Sequence, residues 1–457
     1  MSTFSVVNPA TEAVIEELKQ DSVADIQEKY ALLKKGQPFW AAVPVKDRVE
    51  CIRKFDALLG EEIERLAEIL TKEVGKPLQQ SRNEINGARG RIAFFLEHSE
   101  QWLADEWLVT EGGTKEKISY EPLGVIANIS AWNYPYLVGV NVFIPALIGG
   151  NAVFYKPSEF ASLTGIAISE LLYRSGIPES VFQVVLGGGA VGSALLDLPL
   201  NGYYFTGSNR TGKLIAERVA GKLVPCQLEL GGKDPLYVAD DVADINQVAG
   251  AALEGVVYNS GQSCCAVERI YVHENVYDQF IESFVAQAKA LKVGDPMEPG
   301  VDMGPLTRKE QLAVILDQIQ EAQQKGATVA YGGFRLQQPG YFLAPTILTN
   351  VNHTMSVMTE ESFGPVIGVQ KVSSDEEAVQ WMLDTSYGLT AAVYSSSKER
   401  AEAILKQMNT GTVYWNCCDR VSANLPWSGR QGSGLGSTLS FSGIRAFVQP
   451  KGWHLRG

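Results

Sequence analysis

Two short segments of this chain carry the residue types needed to capture a carbonyl covalently. One is Gly261-Gln262-Ser263-Cys264, followed directly by Cys265; the other, 35 positions upstream of Cys264, is Glu229-Leu230-Gly231-Gly232-Lys233. A cysteine thiolate can attack an electrophilic carbon, and a nearby carboxylate can activate the water that later releases the acyl group. A single cysteine is more often a small buried hydrophobe. Cys264 stands apart because further motifs follow in a consistent order along the chain.

Trp132-Asn133-Tyr134-Pro135 comes after an apolar run that reads as a strand over residues 124–129. Such a position lies at the carboxyl end of a parallel strand, where ligands approach. Lys156-Pro157-Ser158-Glu159 ends a second such strand, and Phe205-Thr206-Gly207-Ser208-Asn209-Arg210-Thr211-Gly212 ends a third and opens a helix. The free N–H groups of a helix start, with the Ser208 hydroxyl, suit a pyrophosphate. Gly187-Gly188-Gly189-Ala190-Val191-Gly192 satisfies G-x-G-x-x-G between strand and helix, but the acid expected about 20 residues later is missing. Those glycines read either as a pyrophosphate cradle or as a tight connection bordering an adenine.

Taken together, and over essentially the whole chain from Asn8-Pro9, these motifs resemble the aldehyde dehydrogenase superfamily, in its hydrolytic, non-acylating type. The resemblance implies Cys264 as nucleophile and Glu229 as the base for deacylation. Asn133, with the Cys264 amide, would form the oxyanion hole, where a fixed donor is typically worth ~3 kcal/mol. For the cofactor it implies NAD, with NADP possible. Lys156 and Glu159 would hold the adenosine ribose beside Ser158, and Gly207, Ser208 and Gly212 the pyrophosphate. Glu361 and Phe363, in Glu361-Ser362-Phe363-Gly364-Pro365, would clamp the nicotinamide end, with Ile129, Trp132 and Leu230 completing the contacts. Where the family commonly carries an acid after its C-terminal Gly-rich turn, Gly432-Ser433-Gly434-Leu435-Gly436-Ser437 has none, which puts a second proton relay in doubt.

For the substrate, the resemblance points to Tyr134, Asn141, Tyr258 and Trp427 around the aldehyde tunnel. Relatives that oxidise carboxylated aldehydes such as succinate semialdehyde typically carry arginine at the position of Asn141, so a dicarboxylic semialdehyde is disfavoured unless an arginine elsewhere substitutes. The three aromatics match a cation cage whose fourth wall would be Asn141. The expectation is therefore a neutral aliphatic or aromatic aldehyde, with betaine aldehyde, aminoaldehydes or succinate semialdehyde as alternatives. A CoA-acylating enzyme usually lacks the glutamate, and a silent binding protein would show damage at Cys264, Glu229 or Asn133.

The elements that must position these residues are also legible. At 457 residues the chain predicts two or three domains, and 45% apolar with 20% charged residues is an ordinary globular composition. Apolar spacing predicts helices over residues 25–35, 46–59, 61–74 and 79–104 in a helical first hundred residues. A hairpin follows over 107–120, around Gly112-Gly113. Strands and helices then alternate, and a capping box at Thr307–Glu310 predicts a helix that buries Leu312, Ile315, Leu316 and Ile319 and stops at Lys325-Gly326. The expected fold is α/β: two doubly wound α/β domains plus a small β oligomerisation element. Residues 1–103 and 123–231 are assigned to dinucleotide binding and 232–434 to the catalytic domain. Residues 104–122 and 435–457 match strands that pair across subunits in the resembling enzymes, implying a homodimer or homotetramer.

A net charge of −13 argues against nucleic acid or an anionic membrane as partner. Residues 122–155 hold no charge, yet Asn128, Asn133, Pro135, Asn141 and Pro145 break the run into a core βαβ unit, not a membrane span. Six cysteines without C-x-x-C spacing and four scattered histidines predict neither disulfides nor a metal site. No basic n-region with an apolar h-region opens the chain, so cytoplasm is the expected compartment.

Overall fold

The uncharged stretch after the hairpin forms the spine of the first of two large sheets. Val125–Ile129 and Ala152–Lys156 are buried at every position and pair in parallel, as strands covered on both faces must be. Between them Pro135–Ile148 is a helix with Pro135 in its first turn, where its missing N–H costs nothing. Nearly every residue of that helix is buried, which explains why it carries no polar stripe.

The structure is a computed structural model and describes residues 2–457. The first large sheet has six strands in the order Gly434–Leu435, Cys226–Glu229, Gly202–Thr206, Val125–Ile129, Ala152–Lys156, Phe182–Val184. All pair in parallel except Gly434–Leu435, which returns antiparallel onto Glu229. From Val125–Ile129 the chain winds one way, then reverses to the other side at Gly202–Thr206. That reversal is a topological switch point, which opens a crevice at the carboxyl ends.

A second sheet runs Thr328–Tyr331, Thr346–Thr349, Val366–Val372, Arg269–His273, Pro235–Val238, Thr390–Tyr394, Thr412–Trp415 and is parallel apart from its first strand. A smaller antiparallel sheet joins Glu106–Val109, Thr114–Pro122 and Val448–Arg456. The two doubly wound sheets and the small β element match the expected α/β architecture.

The structure corrects two local expectations. The first hundred residues are not wholly helical: Thr3–Val7 and Val14–Lys19 pair as an antiparallel ribbon before the first helix, Val23–Ala41. The capping box at Thr307 does not form. The helix begins at Lys309 after Arg308, which makes no side-chain cap. Thr307 is buried instead, its hydroxyl donating to Val74 O (2.5 Å) and its N–H to Gln262 Oε1 (2.9 Å). A tertiary demand on Thr307 overrides the local cap.

The turn that delivers Cys264 is strained. Asn259, Ser260 and Gly261 follow one another at φ of 53°, 56° and 72°, in the left-handed region that costs a non-glycine residue about 1–2 kcal/mol. At Gly261 an added Cβ would also meet the Gly364 carbonyl at 2.4 Å. Gly261→Ala is therefore expected to lower the unfolding free energy by at least ~2 kcal/mol, together with activity. Gly90→Ala, inside a helix with no atom near the new methyl, should be neutral or stabilise by up to ~1 kcal/mol. Equal stability of both variants in chemical denaturation would contradict the strain argument.

Candidate active site

A cavity of about 650 Å³ opens at the switch point of the first sheet and extends to the Cys264 turn. Ile129, Trp132 and Asn133 line it from the end of one strand, Lys156, Ser158 and Glu159 from the next, and Gly207 and Ser208 from a third. Glu229 and Leu230 enter from Cys226–Glu229, Cys264 from the strained turn, and Glu361 and Phe363 from the second sheet's side. The sequence motifs thus converge on one space. Gly212 lies just outside, beneath Leu230, where a Cβ would sit 2.5 Å from the Leu230 side chain.

Gly189 and Gly192 line the same cavity, but as its wall beside Lys156: a Cβ at Gly192 would be 3.6 Å from the lysine Cε. Ser208 is committed locally, capping Asn209–Val219 through Thr211 N (3.4 Å) and bonding Thr211 Oγ1 (3.0 Å). Lys156 is buried with only Pro157 O (3.1 Å) as acceptor and Glu159 at 4.0 Å, and burial draws its pKa down. A buried ammonium so poorly satisfied fits a ligand that brings hydroxyl or phosphate oxygens. Arg308, which the sequence reading missed, lines the cavity between the Trp132 and Phe160 rings (5.8 Å to each), and its buried Nε–H has no partner. These donors suit a dinucleotide.

On the far wall, a buried ion pair shapes the clamp. Lys233 Nζ meets Glu268 (2.6 Å) and Ser362 Oγ (3.1 Å), while Glu268 accepts from the Ser362 and Phe363 N–H groups (3.0 Å each). Phe363 then meets Trp132 edge-on, with ring centroids 5.5 Å apart. The Glu361 carboxyl accepts from Gly232 N (3.3 Å), and burial pushes its pKa up to about 8.

Around the sulfur, Asn133 Nδ2 donates to Gln262 O (2.9 Å), leaving a second N–H free. The Cys264 N–H donates to no protein group among the described residues. Glu229 accepts from the Thr438 hydroxyl, and burial raises its pKa to about 7, against the opposing pull of Thr438 and Arg91. Thr438, just past the acid-free Gly-rich turn, is thus the partner for Glu229. Cys265 is committed to a different partner: its thiol donates to Asp419 Oδ1 (2.9 Å), and the adjacent Cys264 thiol, then burial, raise its pKa.

None of the four residues assigned to the substrate, Tyr134, Asn141, Tyr258 and Trp427, lines that cavity. Trp427 is buried and bridges to Thr438 through paired backbone bonds (2.8 and 2.9 Å). Tyr258 OH accepts from Asn83 Nδ2 (3.2 Å), and the Tyr134 ring carries Lys76 Nζ 3.9 Å from its centroid. Asn141 is buried and accepts from Arg91 NH1 (3.0 Å).

Lys76 and Glu84, neither anticipated, form a fully buried pair. Lys76 also donates to Asn133 O (2.7 Å), and Glu84 accepts from Tyr136 N (2.9 Å). A signal existed: Glu84 and Arg91 stand seven apart on the buried stripe Ser81, Glu84, Ile85, Ala88, Arg91, Ile92, Phe95 of helix Leu78–Trp102. Charges on an apolar stripe are the pattern to look for.

A thiol, a free asparagine N–H, a buried carboxyl with a pKa of about 7 and a cavity of dinucleotide size are the groups that thiol-mediated aldehyde oxidation requires. Comparisons with known proteins agree. The model of the aldehyde dehydrogenase family matches residues 1–452, and the chain belongs to that family of NAD(P)-dependent oxidoreductases. A chloroplastic aminoaldehyde dehydrogenase of Arabidopsis thaliana is 35% identical over 98% of this chain and 91% of its own. The crystal structure of Staphylococcus aureus betaine aldehyde dehydrogenase with NAD+ is 30% identical, with a TM-score of 0.96 over 99% of this chain and 92% of that one. An E. coli NADP-dependent enzyme superposes equally well, at 30% identity over 100% and 95%.

Removing one partner from a buried pair leaves an uncompensated charge. Glu84→Gln is expected to cost about 3–5 kcal/mol of stability, since Lys76 would stay buried alone. Residual folded enzyme should show lowered kcat, because Lys76 and Glu84 fix the Asn133 loop. Unchanged denaturation and turnover would refute this role.

Proposed function

We propose that the protein oxidises an aldehyde to its carboxylic acid through a thioacyl enzyme on Cys264. The observation that carries this reading is the convergence of Cys264, Asn133 and Glu229 on one cavity. The Cys264 thiolate adds to the carbonyl carbon, and the oxygen takes the electron pair. The free N–H groups of Asn133 and Cys264 receive that oxyanion. As the carbonyl re-forms, hydride leaves the carbon with its electron pair and a thioester remains. A nicotinamide bound in the cavity supplies the hydride acceptor. Glu229 then removes a proton from water as its oxygen attacks the thioester, and the Cys264 thiolate departs, leaving the acid.

Lys156, Ser158, Glu159 and Arg308 would bind the adenosine and phosphate side, Gly207 and Ser208 the pyrophosphate, and Glu361 and Phe363 the nicotinamide side. The names of the relatives, aminoaldehyde and betaine aldehyde dehydrogenases, support the alternative reading, betaine aldehyde or an aminoaldehyde as substrate, over the neutral aliphatic or aromatic aldehyde expected from sequence. The division into residues 1–103 and 123–231, 232–434, and 104–122 with 435–457 is part of the same reading. So is self-association through the small sheet, which exposes Trp107, Leu108, Val109, Trp453 and Leu455.

Glu229 acts as a base only when ionised, so steady turnover should rise with pH through about 7 and level off above it. Glu229→Gln should slow steady turnover by ~100-fold or more while sparing the first-turnover burst of reduced cofactor. A burst that falls in step with the steady rate would sink the base assignment. NAD should be preferred over NADP, because Glu159 would repel a 2′-phosphate, and Glu159→Gln should narrow the gap. Equal use of both cofactors by the unaltered enzyme would show that Glu159 does not discriminate.

A further inference from the structure

Glu229 is held in place as a base by one hydrogen bond. It is 9% exposed, lines the cavity together with Cys264, and its carboxyl has a single protein donor among the described residues, the Thr438 hydroxyl. Thr438 itself is wholly buried. The second carboxyl oxygen has no protein donor, yet it is not among the sealed, partnerless atoms. One oxygen is tied and the other is open.

Bringing that hydroxyl to Glu229 shapes the C-terminal chain. Thr438 lies 209 residues away, and Gly434–Leu435 returns antiparallel onto the strand that ends at Glu229. Leu230 N donates to Ser433 O (3.0 Å) beside it. The approach leaves no room for a side chain: a Cβ at Gly434 would sit 2.5 Å from Leu228 O. Past the turn, Thr438 exchanges both backbone bonds with Trp427 (2.8 and 2.9 Å). Leu439 and Ser440 then follow at φ of 60° and 51°, a left-handed conformation that costs a residue with a side chain free energy. Close approach before this threonine and strain after it point to a demand on its side chain.

The demand is chemical. A carboxyl buried this deeply favours its neutral form, which cannot take a proton. Burial raises the Glu229 pKa to about 7, and the Thr438 hydrogen bond is the largest influence opposing that rise, ahead of the charge of Arg91. A hydroxyl suits this task better than a charged group would. A second carboxyl at that distance would share a proton with Glu229 and push one of the two further up. An ammonium or guanidinium would draw the carboxylate down until it became a weak base. The acid-free Gly-rich turn thus places a neutral donor where either charge would spoil the base.

The tied oxygen also sets a direction. With Oε1 on Thr438, the proton has to go to Oε2. As the water oxygen bonds to the thioester carbon, its O–H bond breaks toward Oε2, and the C–S bond then breaks toward Cys264.

We propose that Thr438 is a positioning residue for deacylation: its hydroxyl holds one oxygen of Glu229 and leaves the other to the water that hydrolyses the thioester. This rests on the reading of Cys264 and Glu229 as the reacting pair. Thr438 does not line the cavity and acts through Glu229.

The test loads the enzyme with NAD and propanal or, separately, betaine aldehyde. Samples quenched at intervals give the gain and loss of the acyl mass on the intact protein as a function of pH. Deacylation by the unaltered enzyme should rise with pH through about 7. Thr438→Val keeps the shape and loses the hydroxyl. It should move that midpoint up by about one to two pH units and slow deacylation at neutral pH by about 10-fold, with acylation unchanged. Thr438→Ser keeps the donor and should restore the unaltered midpoint. Should Thr438→Val not fold, Thr438→Ala carries the same expectation with less bulk to accommodate. An unmoved midpoint in the variant without the hydroxyl, a Thr438→Ser that behaves like it, or acylation that slows in step would overturn the proposal. No acyl enzyme from either aldehyde in the unaltered protein, or a Glu229→Gln variant that deacylates normally, would instead remove the reading of Cys264 and Glu229 beneath it.

Discussion

Lys76 and Glu84 are buried where neither could remain charged alone, and between them they hold the loop that carries Asn133. The desolvation cost of such a pair is repaid only when every remaining hydrogen and lone pair finds a partner. Here the partners are Asn133 O on one side and Tyr136 N on the other, so satisfying the charges fixes the loop. From Asn133 the constraint passes through Gln262 O to the left-handed turn at 259–261, and through Gln262 Oε1 to Thr307 N. Ser260 Oγ on Gly304 O (3.0 Å) and Asn259 N on Gln80 Oε1 (2.9 Å) complete the brace. Three successive left-handed residues would relax if left to themselves. The network over-determines them, and Cys264 emerges from it with its own N–H free.

A second buried pair, Lys233–Glu268, does the corresponding work across the cavity by anchoring the loop that presents Glu361 and Phe363. The cavity itself is lined by groups whose polar atoms are incompletely satisfied: Lys156, Arg308 and the Cys264 amide. An unsatisfied donor that lines a cavity is a statement about a ligand.

Much of this was legible in the sequence, because strand ends, tight turns and the cysteine segment are local. Cys264, Glu229, Asn133, Lys156 and Phe363 each sit in a short motif whose residue types the turn itself demands, and the structure brings them to one cavity. The groups that were not legible act across distance. Arg91 and Glu84 look like solvated helix charges until the stripe they share is seen to face the Pro135–Ile148 helix. Thr438 lies 209 residues from Glu229 and meets it only because Gly434–Leu435 folds back onto that strand. Thr307 failed as a cap for the same reason: its hydroxyl serves Val74, 233 residues away. The N-terminal ribbon was missed because two short strands with mostly exposed faces carry little apolar periodicity.

The central claim is that the brace exists to present one sulfur, that of Cys264. It is tested most directly by quenching the enzyme during turnover of an aldehyde with cofactor and locating the acyl group by fragmentation mass spectrometry of the peptide that holds both cysteines. Glu229→Gln should accumulate the adduct. The account predicts the acyl mass on Cys264 alone, with Cys265 unmodified beside Asp419. An acyl group on Cys265, or continued turnover with Cys264→Ala, would contradict it.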